Sequence, residues 1–197
     1  MGGKSTKEAD PALSKRKMSY TSASMAFGAW PVNIKMCEPT INATLFFDKC
    51  PSVAGLMPLV DVCKTYERCA GVPEGTEGKD DWRFRKCEFK AEDIIRTVMV
   101  KSSEDVIPTI EGMLHDSCRD KEGLPWWEIV RVEAPAGQQS AVVLRIDHVI
   151  GDGISLVNLM EQILTDTDGE KLGSIIPASM SKKFTRKLSL WQRFKQM

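Results

Sequence analysis

Ala141-Val142-Val143-Leu144-Arg145-Ile146-Asp147-His148-Val149-Ile150-Gly151-Asp152-Gly153-Ile154-Ser155-Leu156-Val157-Asn158-Leu159-Met160 is the stretch that decides how this chain folds. Its first six residues read as a strand, with Val142, Leu144 and Ile146 alternating with Val143, Arg145 and Asp147. Beyond it Leu156, Leu159, Met160, Ile163 and Leu164 recur at helical spacing, predicting a helix from Ile154 to about Leu164. Between them lies a tight turn with two glycines. If the strand period runs to its end, His148 shares the core face of Val142, Leu144 and Ile146. A histidine so placed can be held neutral in one tautomer, as a general base near pH 7 requires. Asp152 is then expected to orient the loop, and Gly153 to let the backbone turn where a side chain would clash.

The pattern His148-x-x-x-Asp152-Gly153 (HxxxDG) resembles the active-site signature of CoA-dependent acyltransferases built on the chloramphenicol acetyltransferase fold. Upstream, Pro125-Trp126-Trp127-Glu128-Ile129 is similar to the Pro-Leu-Trp-Glu box of one branch, the wax ester synthase/diacylglycerol acyltransferase family. The order helix, Arg, Asp, Pro, Trp, Glu, strand, hairpin, His agrees from about Ser103 to Leu164, with weaker agreement back to about residue 18. That branch usually carries two histidines before x-x-x-Asp-Gly; here Asp147 stands at the first position and His148 at the one the wider fold uses. The family fold has two similar halves with the active-site tunnel between them, and this sequence matches the first half and the start of the crossover.

The resemblance implies an α/β architecture, a mixed β-sheet with packed helices, one half of a two-lobed acyltransferase. It implies transfer of a long-chain acyl group from acyl-CoA to a fatty alcohol or diacylglycerol, making wax esters or triacylglycerol. His148 would be the general base, Asp152 a structural orienter of the loop and Gly153 the turn. No metal or bound cofactor is implied, since acyl-CoA is a substrate. A C-terminal half or a dimer partner would complete the site. A competing expectation is a catalytically incomplete half-domain acting as a membrane-associated binding module. A third, a condensation-type domain, is argued against by the Pro-Trp-Trp-Glu box.

Composition is compatible with these readings. The 197 residues suit one domain with a small appendage, and 42% hydrophobic with 27% charged residues is ordinary for a globular chain. Net charge is zero, so nothing points to nucleic acid. No apolar run reaches a membrane span, and the N-terminus has no apolar secretory segment. The six cysteines, Cys37, Cys50, Cys63, Cys69, Cys87 and Cys118, form no Cys-x-x-Cys pair and read as reduced thiols rather than a zinc site. Of the two histidines, His115 falls at the end of a predicted helix and reads as a solvated helix-end residue.

Taken in order, residues 1–17 are polar and charged and are expected to be disordered. Gly2, with Thr6 following, fits the N-myristoylation pattern. Residues 18–165 form the expected acyltransferase half-domain. Within it Asn42–Phe47 reads as the first strand, Val53–Tyr66 as a helix buried through Val53, Leu56, Leu59, Val60 and Cys63, residues 71–81 as loop, and Trp82–Phe89 as a strand. Ala91–Lys101 begins helix-like and continues extended. Ser102 or Ser103 caps a helix buried through Val106, Ile110, Met113 and Leu114. Trp127–Val132 and Ser140–Asp147 are strands joined by Ala134-Pro135-Ala136-Gly137-Gln138. Residues 166–181 read as a linker. Lys182–Met197 carries six basic and no acidic residues, with Phe184, Leu188, Trp191 and Phe194 on one face. This basic amphipathic helix suits a membrane surface or an acidic partner groove, or docking of its apolar face onto a domain missing from this chain, and it leaves the rest of the chain six charges negative. Together these features predict a peripheral protein on the cytoplasmic side of a membrane, at endoplasmic reticulum or lipid droplet, or otherwise in the cytoplasm.

Overall fold

A computed structural model describes residues 13, 17–27, 39–76, 81–165 and 170, with side chains for all of these but 20, 21, 27 and 154. The expected linker (apart from residue 170), the basic helix over 182–197 and Gly2 lie outside the described residues, as does the N-terminal tail apart from residues 13 and 17. The chain divides into two compact units, Met1–Asp152 and Gly153–Met197.

In the first unit, Ser19 opens helix α1 (Tyr20–Phe27), its hydroxyl accepting from the Ser22 N–H at 3.2 Å. Strand β1 (Thr40–Phe47) follows, and then helix α2 (Val53–Thr65), where the Ser52 hydroxyl caps the Gly55 N–H at 3.1 Å. Leu56, Leu59, Val60 and Cys63 of α2 are buried as their spacing predicts, while Val53 is exposed at its first position. Residues 71–81 are not all loop. Gly71–Glu74 forms β2, an antiparallel ribbon with β3 (Arg83–Lys86). Gly71 and Pro73 hide this strand from propensity: a Cβ at 71 would lie 3.0 Å from the Arg85 and Glu67 carbonyl oxygens, and proline is tolerated because a two-stranded ribbon has open edges.

Ala91–Lys101 is both things its sequence suggests, a one-turn helix α3 (Ala91–Ile94) running directly into β4 (Ile95–Met99). Asp105 accepts from the Ser102 N–H at 3.1 Å, and a 3-10 turn (Ser103–Asp105) leads into α4 (Val106–Met113). Val106, Ile110 and Met113 are buried; Leu114, past the helix end, is exposed. Strands β5 (Trp127–Glu133) and β6 (Ser140–Asp147) form a hairpin whose Pro135–Gln138 turn places Gly137 at φ +80°, a conformation that favours glycine.

The main sheet has the order β1-β6-β5-β4, antiparallel except for the β4–β5 pair. It is therefore the mixed sheet expected. β6 lies inside it, and the alternation read from its sequence misleads in one respect: every residue of the strand is buried, on both faces. One face, with Ala141 and Val143 beside Val130 and Val132, packs under Val106, Ile110 and Met113 of α4. The other carries Val142, Leu144, Ile146, Trp127 and Ile129. There the Trp127 indole donates to the Cys69 carbonyl at 2.8 Å and Arg131 to the Pro51 carbonyl at 2.7 Å, tying this face to the backbone flanking α2 at both ends. Arg145 and Asp147 are on the α4 face, fully buried.

In the second unit, helix α5 spans Gly153–Glu161 and continues as turns to Leu164. Among the described residues no helix is long and apolar enough to cross a membrane.

Candidate active site

The α4 face of the sheet changes character toward the C-terminal end of β6. Where Val143 faces Val130, the next residue pair on that face is Arg145 opposite Glu128. Arg145 Nη1 donates to Glu128 Oε1 at 2.6 Å, Nε to Asn42 Oδ1 at 3.1 Å and Nη2 to the Asp116 carbonyl at 2.5 Å. Glu128 also accepts from Arg96 Nε at 3.1 Å and Lys121 Nζ at 3.4 Å. Burial pushes the Glu128 carboxyl up, but hydrogen bonds and charge from Arg96, then Arg145 and Lys121, outweigh it and hold it below the usual carboxylate range. The last residue of β6 on this face, Asp147, is met by Arg119, Nε to Oδ2 at 2.6 Å.

The Pro-Trp-Trp-Glu box supplies this end of the sheet. Trp126 lies under the Arg119 guanidinium, 4.5 Å from ring centroid to Cζ. Trp127 is buried on the opposite face, edge-on to Phe89 at 5.9 Å. Glu128 anchors the ionic cluster just described.

His148 follows directly. β6 ends at Asp147 and residues 148–150 turn, so the strand period does not extend to the histidine and does not decide where its ring points. Its backbone is nevertheless fixed: the His148 N–H donates to the Pro39 carbonyl at 2.8 Å, and the Ile150 N–H to the Asp147 carbonyl at 3.0 Å. Val149 is fully buried in a cluster with Met18, Ala26 and Phe84, against Trp126 and Met25. The histidine is half-buried at the end of β6, a strand buried along its whole length. His115 is exposed, beyond the end of α4.

Asp152 is exposed at the end of the same loop. Asp147 binds the turn as well, its Oδ1 accepting from the Val149 N–H at 2.9 Å. Gly153 opens α5 with no positive φ and nothing within 4 Å of where a Cβ would stand, so the steric need for glycine expected there is not present. Sequence reasoning missed Arg119, Glu128 and Arg145 as a group. The available signal was a pair of charges, Arg145 and Asp147, inside a strand whose other residues are nearly all apolar.

A thiol nucleophile is disfavoured here. Cys118, the buried cysteine next to Arg119, is pushed up to about 11 by burial, so it stays protonated at neutral pH. The five described cysteines are free thiols, and among the described residues no group of three or more His, Cys, Asp or Glu could hold a metal.

The family described as the wax ester synthase/diacylglycerol acyltransferase catalytic domain matches residues 103–196. No curated protein matches the chain. Among solved structures it is similar to the wax ester synthase/diacylglycerol acyltransferase from Marinobacter aquaeolei VT8, with 13% identity and a TM-score of 0.51 over 85% of this chain and 44% of that one. The EpoB NRPS cyclization-docking bidomain from Sorangium cellulosum gives 15% identity and a TM-score of 0.55 over 91% of this chain and 37% of that one. The SgcC5 protein from Streptomyces globisporus gives 14% and 0.53 over 87% and 42%. At these identities the likeness is one of fold, and the chain spans about two fifths of the length of each of these structures. The fold is that of chloramphenicol acetyltransferase-like domains, and residues 103–196, which include the Pro-Trp-Trp-Glu box and His148, match the wax ester synthase/diacylglycerol acyltransferase catalytic domain.

Proposed function

We propose that this acyltransferase-family chain is the N-terminal half of an acyl-CoA-dependent O-acyltransferase, with His148 as the general base. The observation that carries the reading is the position of His148: first residue after a fully buried central strand, backbone fixed by its neighbours, inside the region that matches the catalytic domain. The acceptor is a fatty alcohol or diacylglycerol and the donor a long-chain acyl-CoA. His148 accepts the proton of the acceptor hydroxyl as its oxygen attacks the thioester carbonyl. The tetrahedral intermediate collapses, the C–S bond breaks, and CoA leaves as the thiol, taking that proton from the imidazolium. An ester and free CoA are the products. No acyl-enzyme is needed, in keeping with the protonated Cys118. Asp152 orients the loop from its far end, and Gly153 gives the turn into α5.

A second reading rests on the residue pattern of the termini: a domain that binds membrane without turnover, through the basic amphipathic Lys182–Met197 and an acylated Gly2. In the first reading a C-terminal half or a second copy closes the tunnel; in either, the protein works at the cytoplasmic surface of endoplasmic reticulum or lipid droplet, or otherwise in the cytoplasm.

The test is thiol release from palmitoyl-CoA with hexadecanol or dioleoylglycerol, comparing the full chain with His148→Ala. Acceptor-dependent release that falls roughly 10²- to 10⁴-fold in the variant is the expected result for a lost general base. Release that is unchanged in His148→Ala overturns the assignment of the base. If the folded chain releases no thiol but floats with phosphatidylserine vesicles, less so at high salt and equally as His148→Ala, the membrane-binding reading replaces it.

A further inference from the structure

The position that usually holds the first of two histidines is here a carboxylate, and its surroundings give that carboxylate a defined task. Asp147 is fully buried. One carboxylate oxygen accepts from the Val149 N–H at 2.9 Å; the other accepts from Arg119 Nε at 2.6 Å. The first bond, from residue i to the N–H of i+2, closes a ring that contains His148, so it constrains the backbone dihedrals of the histidine directly. The second fixes the carboxylate. Arg119 is held in turn by the Ala26 and Met25 carbonyls, each accepting at 3.0 Å from Nη1 and Nη2, and by stacking on Trp126 at 4.5 Å. Those carbonyls belong to the last turn of α1, where free carbonyls collect and a cation is favoured. Val149, whose N–H takes part, is buried against Ala26 and Phe84.

From this geometry we infer that Asp147 and Arg119 are positioning residues for His148, a buried clamp that fixes the turn carrying the base to α1 and to the Pro-Trp-Trp-Glu box. The inference rests on the acyltransferase reading of His148 for its consequence, though not for its geometry. A fixed turn holds the imidazole at the distance and angle the acceptor hydroxyl needs, where an error of about 1 Å costs on the order of a hundredfold in rate. The clamp is charge-assisted, and charge-assisted hydrogen bonds are shorter and more directional than neutral ones. A histidine in place of Asp147 has no carboxylate to close this ring and pair with Arg119. The substitution therefore goes with a different way of setting the same turn.

Asp147→Asn and Arg119→Lys test it in the full-length chain. Asn cannot accept from both Arg119 and the Val149 N–H as the carboxylate does; Lys retains charge but loses the planar stacking and the forked donors. With two histidines in the chain, magnetic resonance of the imidazoles separates His148 from the exposed His115. The expected signature is shifted His148 ring resonances and lower backbone order at His148 and Val149, with His115 unmoved. In acyl transfer, kcat falls roughly 10- to 100-fold while KM for acyl-CoA is unchanged. Folded variants with wild-type His148 resonances and wild-type order at Val149 overturn the inference, as does loosening that affects His115 equally. If Asp147→Asn does not fold, Arg119→Lys decides by the same readings. If the wild-type chain transfers no acyl group, the proposed function fails while the resonances still decide the clamp.

Discussion

The two ends of the hairpin β5–β6 present opposite chemistry on one face of one sheet. Toward the hairpin turn, Val130, Val132, Ala141 and Val143 meet Val106, Ile110 and Met113 of α4. Toward the other end, Glu128 and Arg145 occupy the next opposed pair and Asp147 the position after it. Both ends are buried, but by different physics. The apolar end is stabilised by removal of hydrocarbon from water and by close packing, which accept any side chain of similar shape. At the ionic end each charge must find partners of the right geometry, because desolvation of an unmatched charge is far larger than any packing gain. The apolar end makes the sheet stable; the ionic end makes one arrangement of it unique, next to the turn that carries His148.

Breaking the ionic end is expected to have the largest effect. Glu128→Ala leaves Arg145 fully buried without its carboxylate and should destabilise the chain by about 3–5 kcal/mol in denaturant unfolding. The double variant Glu128→Leu/Arg145→Met should recover much of that loss, because a shape-matched apolar pair removes both desolvation costs. A double variant no more stable than Glu128→Ala would show that Asn42 and the Asp116 carbonyl also depend on Arg145.

At the apolar end, Ile110→Ala should cost about 2–4 kcal/mol, with Ile110→Val close to 1 kcal/mol. Neither should change the His148 resonances. Movement of those resonances in Ile110→Ala would mean that the two ends are not independent.

The smallest effect separates the ends by pH. Glu128 titrates below its ordinary value in the fold, so the unfolded chain binds its proton more readily. The stabilisation from this carboxylate is present above the ordinary carboxylate range, near pH 4.5, and is lost as pH falls through the lowered value. Unfolding free energy measured between pH 7 and pH 3 should fall less steeply in Glu128→Leu/Arg145→Met than in wild type. Equal slopes would place the acid sensitivity elsewhere.

Much of this fold was legible in the residue pattern. β1, α2, β4, β5 and β6 lie within a few residues of where alternation and helical spacing place them. Ser102, one of the two capping positions its sequence offers, stands at the start of the 3-10 turn that leads into α4. β2 was not legible, since Gly71 and Pro73 carry no strand propensity and only pairing with β3 makes it a strand. Nor was the two-sided burial of β6. Arg145 and Asp147 alternate with the core residues Val142, Leu144 and Ile146, and only neighbours from distant parts of the chain show that their face is buried too. The candidate base was visible as a motif, whereas its clamp was not: Arg119 is 28 residues from Asp147 and more than 90 from the α1 carbonyls it binds.

By itself, then, the sequence determined the local elements, the family resemblance of residues 103–196 and the choice of candidate base, because periodicity, capping and short motifs are properties of neighbouring residues. Tertiary structure alone decided what Asp147, Arg119, Glu128 and Arg145 do. A charge on a strand is a solvated face or a buried clamp according to what covers it, and the covering segments, α1 and residues 116–121, come from elsewhere in the chain.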